Sequence, residues 1–158
     1  VAVNSGTGQI ESGSVGYGQF ILRNDATAGS VYDWRDYTAI KWADAYDPCR
    51  SLSLGDGKNW RLPTSGEWGL IYANNYPQNT GFGVRFRPDG SNASVFLPAA
   101  GSRNRTNGTL SNVSMGGTYW SSSANGGSAF YLNFNSSTVS PASTGARSHG
   151  FSVRCVSE

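Results

Sequence analysis

Apolar positions along this chain change their spacing near residue 77: before it two stretches repeat at helical intervals, and after it short apolar runs are cut by Gly, Asn and Ser. Within Asp33–Ala45 the spacing of Trp34, Tyr37 and Ile40, continued by Lys41 and Asp44, follows i, i+3, i+4 until Pro48 interrupts it, which predicts a first short helix. The second stretch carries a sharper signal. Thr64 and Glu67 form a capping box, in which the Thr hydroxyl accepts from the backbone N–H of Glu67 and the carboxylate reaches back to the N–H of Thr64. Pro63 stands just before the cap, where it can pack on Trp68 one turn in. Trp68, Ile71 and Tyr72 supply the apolar face, and Asn74-Asn75-Tyr76-Pro77 ends the second helix.

Beyond Pro77 the apolar runs are Val84 to Phe86, Val95 to Leu97, Tyr119-Trp120, Ala129 to Phe134 and Phe151 to Val156. Phe130, Leu132 and Phe134 alternate with Ala129, Tyr131 and Asn133, and Phe151, Val153 and Cys155 alternate with Ser152, Arg154 and Val156. Period-two alternation predicts strands with one face buried and one wet, which places Tyr131 and Asn133 on the water side. The expected architecture is α+β: two helices early, then a meander of short antiparallel strands joined by long loops. The stretches Gly101 to Gly117 and Val139 to Gly150 are expected as loops of functional length. Residues 1–30, rich in Gly, Ser and Asn around Phe20-Ile21-Leu22, read as a linker with an entry strand, and 31–158 as one domain.

Composition narrows the function classes. The chain has 158 residues, a formal net charge of +2 and only 14% charged residues, which argues against nucleic-acid binding through phosphate contacts. Aromatic residues at 13% argue against disorder and for a core packed with Trp, Tyr and Phe. There is no run of the ~20 apolar residues that a spanning helix needs. Because the sequence starts with Val, it is read as a mature or excised fragment, with any export signal, anchor or partner domain outside it.

Four phrases, in order, carry a family resemblance: Trp60-Arg61-Leu62-Pro63-Thr64 with Glu67-Trp68; Leu97-Pro98-Ala99-Ala100-Gly101; Gly117-Thr118-Tyr119-Trp120-Ser121-Ser122; and Gly150-Phe151-Ser152-Val153-Arg154-Cys155-Val156. Together they resemble the major paralogous domain first described in Fibrobacter, which is similar to the C-type lectin-like fold of the formylglycine-generating enzyme and of the variable proteins of diversity-generating retroelements. The resemblance implies a C-type lectin-like fold over 31–158. It also implies extracellular display, on a bacterial cell surface or a phage virion, with the domain tethered to others of a longer chain. In the retroelement subset, mutagenised Asn codons diversify a rigid binding face. Ser102 and Thr118 stand where the family pattern leads one to expect an aromatic, and His149 is in a similar place.

Within that resemblance, Cys49 and Cys155, the only cysteines, read as a disulfide tying the end of the first helix to the last strand, against the alternative of two buried thiols in a cytosolic protein. The close cysteine pair used by formylglycine-generating enzymes has no counterpart, so no enzymatic activity, catalytic residue or cofactor is expected. His149, the lone histidine, meets neither the ligand count of a zinc site nor the geometry of a triad by itself. Lectin calcium loops of the Glu-Pro-Asn or Gln-Pro-Asp type are missing, and Trp120-Ser121-Ser122 stands where a Trp-Asn-Asp strand would be, so no ligand-bridging metal is expected. A structural calcium on Asp33, Asp36, Asp56 or Asp89 stays open.

Trp60, Trp68 and Trp120, with Trp34 and Trp42, are assigned to the core. The ligand face is expected on polar positions of the late strands and loops: Ser102, Asn104, Thr118, Ser123, Asn125, Tyr131, Asn133, Ser148 and His149. Tyr with Ser, Asn and Gly offers rigid amphipathic area beside short hydrogen-bonders, as antibody paratopes do. The expected function is a surface-displayed module that binds a protein or glycan on another cell or surface. Two alternatives stay open: a structural or adhesive tip domain of an appendage, and a calcium-independent glycan-binding lectin.

Overall fold

A computed structural model describes residues 47–50, 54–88, 93–104, 109–126, 128–147 and 149–158. Its single helix among these residues, α1 (Ser65–Asn74), starts where the capping box puts it: the Thr64 hydroxyl accepts from the Glu67 N–H at 3.1 Å, and a Glu67 carboxylate oxygen accepts from the Thr64 N–H at 2.8 Å. Two helices were expected; the one over Asp33–Ala45, like the linker and entry strand over 1–30, lies outside the described residues. Trp68 is fully buried and Ile71 packs against the core, but Tyr72 is exposed. The helix therefore meets the sheets along a narrower stripe than its apolar residues suggest.

The strands are β1 (Trp60–Arg61), β2 (Asn75–Asn79), β3 (Gly83–Pro88), β4 (Val95–Pro98), β5 (Ser102–Arg103), β6 (Leu110–Ser111), β7 (Gly116–Asn125), β8 (Ser128–Asn135), β9 (Val139–Ala146) and β10 (Val156–Ser157). They pair antiparallel into four small sheets: β1 with β10, β2-β3-β4, β5 with β6, and β7-β8-β9. This is the α+β, strand-rich architecture expected, with three local differences. Val139–Ala146 is a strand where a loop was expected, because pairing with β8 forms it in the absence of a hydrophobic period. The Gly101–Gly117 stretch contains the β5–β6 pair and a tight turn. The final run does not alternate as one strand: its backbone bonds go to successive partners, Gly150 to Arg103, Ser152 to Thr118 and Trp120, and Glu158 to Asn59, so only Val156–Ser157 is regular.

The core has two parts. Trp68, Val84, Phe86, Leu97, Ala99, Tyr119, Leu132 and Phe134 form one; Cys49, Leu62, Trp120 and Ala129 form the other, with Trp60, Tyr131, Phe151, Val153 and Cys155 packed on it. Adjacent residues Tyr119 and Trp120 fall in different parts, as do Tyr131 and Leu132, so the β7-β8 ribbon is covered on both faces. This corrects the expectation that Tyr131 faces water: it is half-buried, and so is Asn133 beside it. Gly117 makes the close packing sterically feasible, since a Cβ there would lie 2.7 Å from the Phe134 ring and 2.8 Å from the Pro98 carbonyl oxygen.

Several long-range ties fix this arrangement. Cys49 and Cys155 are bonded, with a Cα–Cα distance of 5.6 Å across a sequence separation of 106. The buried Asp47 carboxylate accepts from the N–H groups of Cys49 and Leu62 at 2.8 and 2.7 Å. Arg61 grips both oxygens of Glu67 at 2.7 Å and also pairs with Glu158, which Arg50 approaches at 3.2 Å. The helix-capping carboxylate thus joins an ion-pair chain running to the C-terminal residue.

Candidate functional site

Four neighbouring backbone segments build one face. On β8, Asn133 and Tyr131 stand directly across from Thr118 and Trp120 of β7. Because successive strand side chains alternate, those four residues share one side of the ribbon. The segment around Ser152 runs beside β7 as a parallel bridge to Tyr119, with the Ser152 N–H donating to the Thr118 carbonyl and the Trp120 N–H to the Ser152 carbonyl. Farther out, Arg103 and Gly150 exchange backbone hydrogen bonds at 2.8 and 3.1 Å, which brings β5 alongside. The Thr118 hydroxyl donates to the Gly101 carbonyl oxygen at 3.4 Å, next to Ser102.

Aromatic rings floor this face. Phe151 lies 4.3 Å from Trp120 and 4.7 Å from Tyr131, centroid to centroid, and Tyr131 meets Trp120 edge-on at 5.9 Å. His149 stacks on Phe151 at 5.2 Å with the planes 13° apart. Edge-to-face contact is a favoured aromatic geometry; Tyr131 makes two such contacts, and with the tilted Trp120–Phe151 pair they leave the floor little freedom to lose on binding. The polar groups around it are the Thr118 hydroxyl, the Asn133 amide, the Ser102 hydroxyl and the His149 imidazole, with Asn104 exposed beyond Arg103. Such a surface can stack on a flat apolar group and exchange neutral hydrogen bonds with its edges.

The expected site residues therefore separate. Ser102, Thr118, Tyr131, Asn133 and His149 come together, with Asn104 at the rim. Ser123 does not join them: its hydroxyl accepts from the Ser65 N–H at 3.0 Å, satisfying one of the free donors at the start of α1. Asn125 sits at the exposed far end of β7, paired with Ser128, about 20 Å along the strand from Thr118 at the usual rise per residue. Arg147 braces that end by donating to the carbonyls of Ser128 and Gly126. Ser148 lies outside the described residues. The residue that sequence reasoning missed is Phe151, assigned to an alternating core strand; the signal was there in its place between His149 and Cys155, but only the fold shows it flooring the face.

A strong charge interaction lies at the start of α1. The Arg61 guanidinium holds the Glu67 carboxyl well below the usual range, at about 2, despite opposing desolvation, and Thr64 adds to the effect. Burial pushes the Tyr119 phenol up to about 12, and its hydroxyl donates to the Pro98 carbonyl at 2.7 Å. Of the aspartates left open for calcium, Asp56 accepts from the Lys58 N–H at 3.1 Å, whereas Asp33, Asp36 and Asp89 lie outside the described residues. Among the described residues no three His, Cys, Asp or Glu side chains are grouped to hold a metal ion.

Compared with known proteins, residues 22–157 match the family model described as the Lcl C-terminal domain. No curated protein and no solved structure matches the chain.

Proposed function

The chain belongs to the Lcl C-terminal domain family, the Fibrobacter major paralogous domain family, and from that premise we propose that it is a surface-displayed binding module with a C-type lectin-like scaffold. The observation that carries the reading is the convergence of Ser102, Thr118, Asn133 and His149, from four adjacent backbone segments, around an aromatic floor that includes Tyr131. Its mechanism is preorganisation. The disulfide, the doubly covered β7-β8 ribbon and the ring contacts hold the polar groups in place before the partner arrives, so association costs less entropy than with free loops. The partner is a protein or glycan on another cell or surface, met outside the cell, and the module is one part of a longer chain. Diversification of this face by a retroelement fits the same geometry, because polar side chains over a fixed floor can vary without repacking the core.

The test is a binding screen of the chain against surface proteins and glycans, followed by Thr118→Ala, Asn133→Ala and His149→Ala. Binding is expected to fall while the melting temperature stays within a few degrees of the parent, and chelator is expected to leave binding unchanged. Normal binding by all three variants would put the face elsewhere. Loss of binding in EDTA with recovery in calcium would favour a calcium-dependent lectin instead.

A further inference from the structure

The Cys49–Cys155 bond belongs to the same core part as the aromatic floor. Cys49, Leu62, Trp120 and Ala129 form that part, and Phe151, Val153 and Cys155 pack on it from alternate positions of the final segment. The same segment sets His149 on Phe151 at 5.2 Å and lends the Ser152 backbone to β7. Bridge and floor therefore share one packing cluster and one short stretch of chain.

The two ends of the bridge are held unequally. Cys49 is fully buried, and its N–H donates to the buried Asp47 carboxylate, which also accepts from the Leu62 N–H just before the α1 cap. Cys155 is half-buried, and the segment that carries it has no ladder. Gly150 exchanges its two backbone bonds with Arg103, Ser152 bonds to Thr118 and Trp120, and Val156–Ser157 forms only the short pair with β1. Isolated bridges at sheet margins open locally more readily than a ladder such as β7-β8, where neighbouring bonds support one another. The first core part contains neither cysteine, so its packing does not depend on the bridge directly.

We propose that the disulfide is a redox latch for the candidate face: oxidised, it holds Phe151 and His149 in the stacked arrangement; reduced, it releases the final segment while α1 and the strands of the first core part stay folded. A dithiol supplies the two electrons. Its first thiolate bonds to the Cys155 sulfur, the less buried of the two, as the S–S bond breaks and Cys49 leaves as a thiolate that takes up a proton. The second thiolate of the dithiol then closes the reductant's own disulfide and frees Cys155, which is protonated in turn. Cys49 stays in place on Asp47, so the motion falls to the Cys155 side, where His149 and Phe151 are. The loss of partner binding on reduction rests on the proposed function, whereas release of the segment does not.

Proton NMR of the 158-residue chain at about pH 8, above the range in which an imidazole titrates, reads the latch directly because His149 is the only histidine. Its two carbon-bound ring protons feel the Phe151 ring current, and Phe151→Leu in the oxidised protein supplies the unstacked reference positions. Dithiothreitol is added in steps, and the reduced fraction is counted by alkylation and intact mass. The imidazole signals should move to the unstacked positions in proportion to reduction, with the far-UV circular dichroism and the dispersed amide signals retained, and return on reoxidation. Cys49→Ser combined with Cys155→Ser should show the unstacked positions with no reductant present. Imidazole signals that stay at the oxidised positions in fully reduced protein overturn the proposal. So does loss of amide dispersion in step with the imidazole shift, since the bond then holds the whole fold and not the face. A partner from the binding screen that binds the reduced, released form as well as the oxidised one moves the face elsewhere and leaves the latch standing.

Discussion

Truncating Tyr131 to alanine should destabilise the fold, whatever it does to binding. The ring is half-buried, 4.7 Å from Phe151 and edge-on to Trp120 at 5.9 Å, and a Cβ added to Gly145 on β9 would come within 3.0 Å of it. About two-thirds or more of a side chain of about 200 Å² is out of water, worth about 3 kcal/mol at about 25 cal/mol per Å², and two lost ring contacts add about 1 kcal/mol. Allowing for residual burial in the unfolded chain, the expected loss is about 3 kcal/mol. Tyr131→Phe should cost less than about 1 kcal/mol, because the ring and its contacts with Trp120 and Phe151 stay. Asn133→Ala should stay within about 0.5 kcal/mol. Urea unfolding followed by tryptophan fluorescence gives all three numbers from one experiment. If Tyr131→Ala unfolds at the parent's urea midpoint with an unchanged slope, the second core part does not hold Tyr131 and the aromatic floor is wrong. The comparison also guards the binding screen: a weakened Tyr131→Ala variant reports on folding, whereas a weakened Asn133→Ala variant reports on contact.

The remaining predictions concern what holds the scaffold. The hydrogen bonds from Arg61 hold the Glu67 carboxyl down at about 2, below the ordinary carboxylate range, so its contribution is fully present above that ordinary range and is lost as pH falls toward 2; discounted for its one-third exposure, this is about 1–2 kcal/mol. Melting temperatures of the parent and Glu67→Gln should accordingly differ at pH 7 and converge near pH 2. Gly117→Ala should cost more than about 2 kcal/mol because its Cβ strikes Phe134 and Pro98, whereas Gly69→Ala, with nothing within 4 Å, should stabilise the helix by about 0.5–1 kcal/mol in the same urea assay. Reducing the Cys49–Cys155 bond, which closes a separation of 106, should lower stability by up to about 4.7 kcal/mol, and unreduced protein should show no alkylatable thiol by intact mass.

What could be read from the chain alone was what neighbouring residues decide. The Thr64–Glu67 box is made by groups three apart, so it was legible, and so were the apolar runs that became β3, β4, β7 and β8. The four family phrases pointed to the family without any coordinates. The strand β9 was hidden because Ser, Thr, Ala and Gly carry no hydrophobic period, and its backbone becomes a strand only when β8 offers it a partner. Ser123 read as a surface hydroxyl, yet it serves an N–H 58 positions away. Tyr131 read as wet because alternation was taken to mean one covered face; its partners Trp120 and Phe151 cover the other. Local hydrogen bonds and periodicity depend on residues a few positions apart, and a sequence carries those directly. Which face stays dry depends on what the chain lays over it from far along its length, and only the tertiary structure decides that.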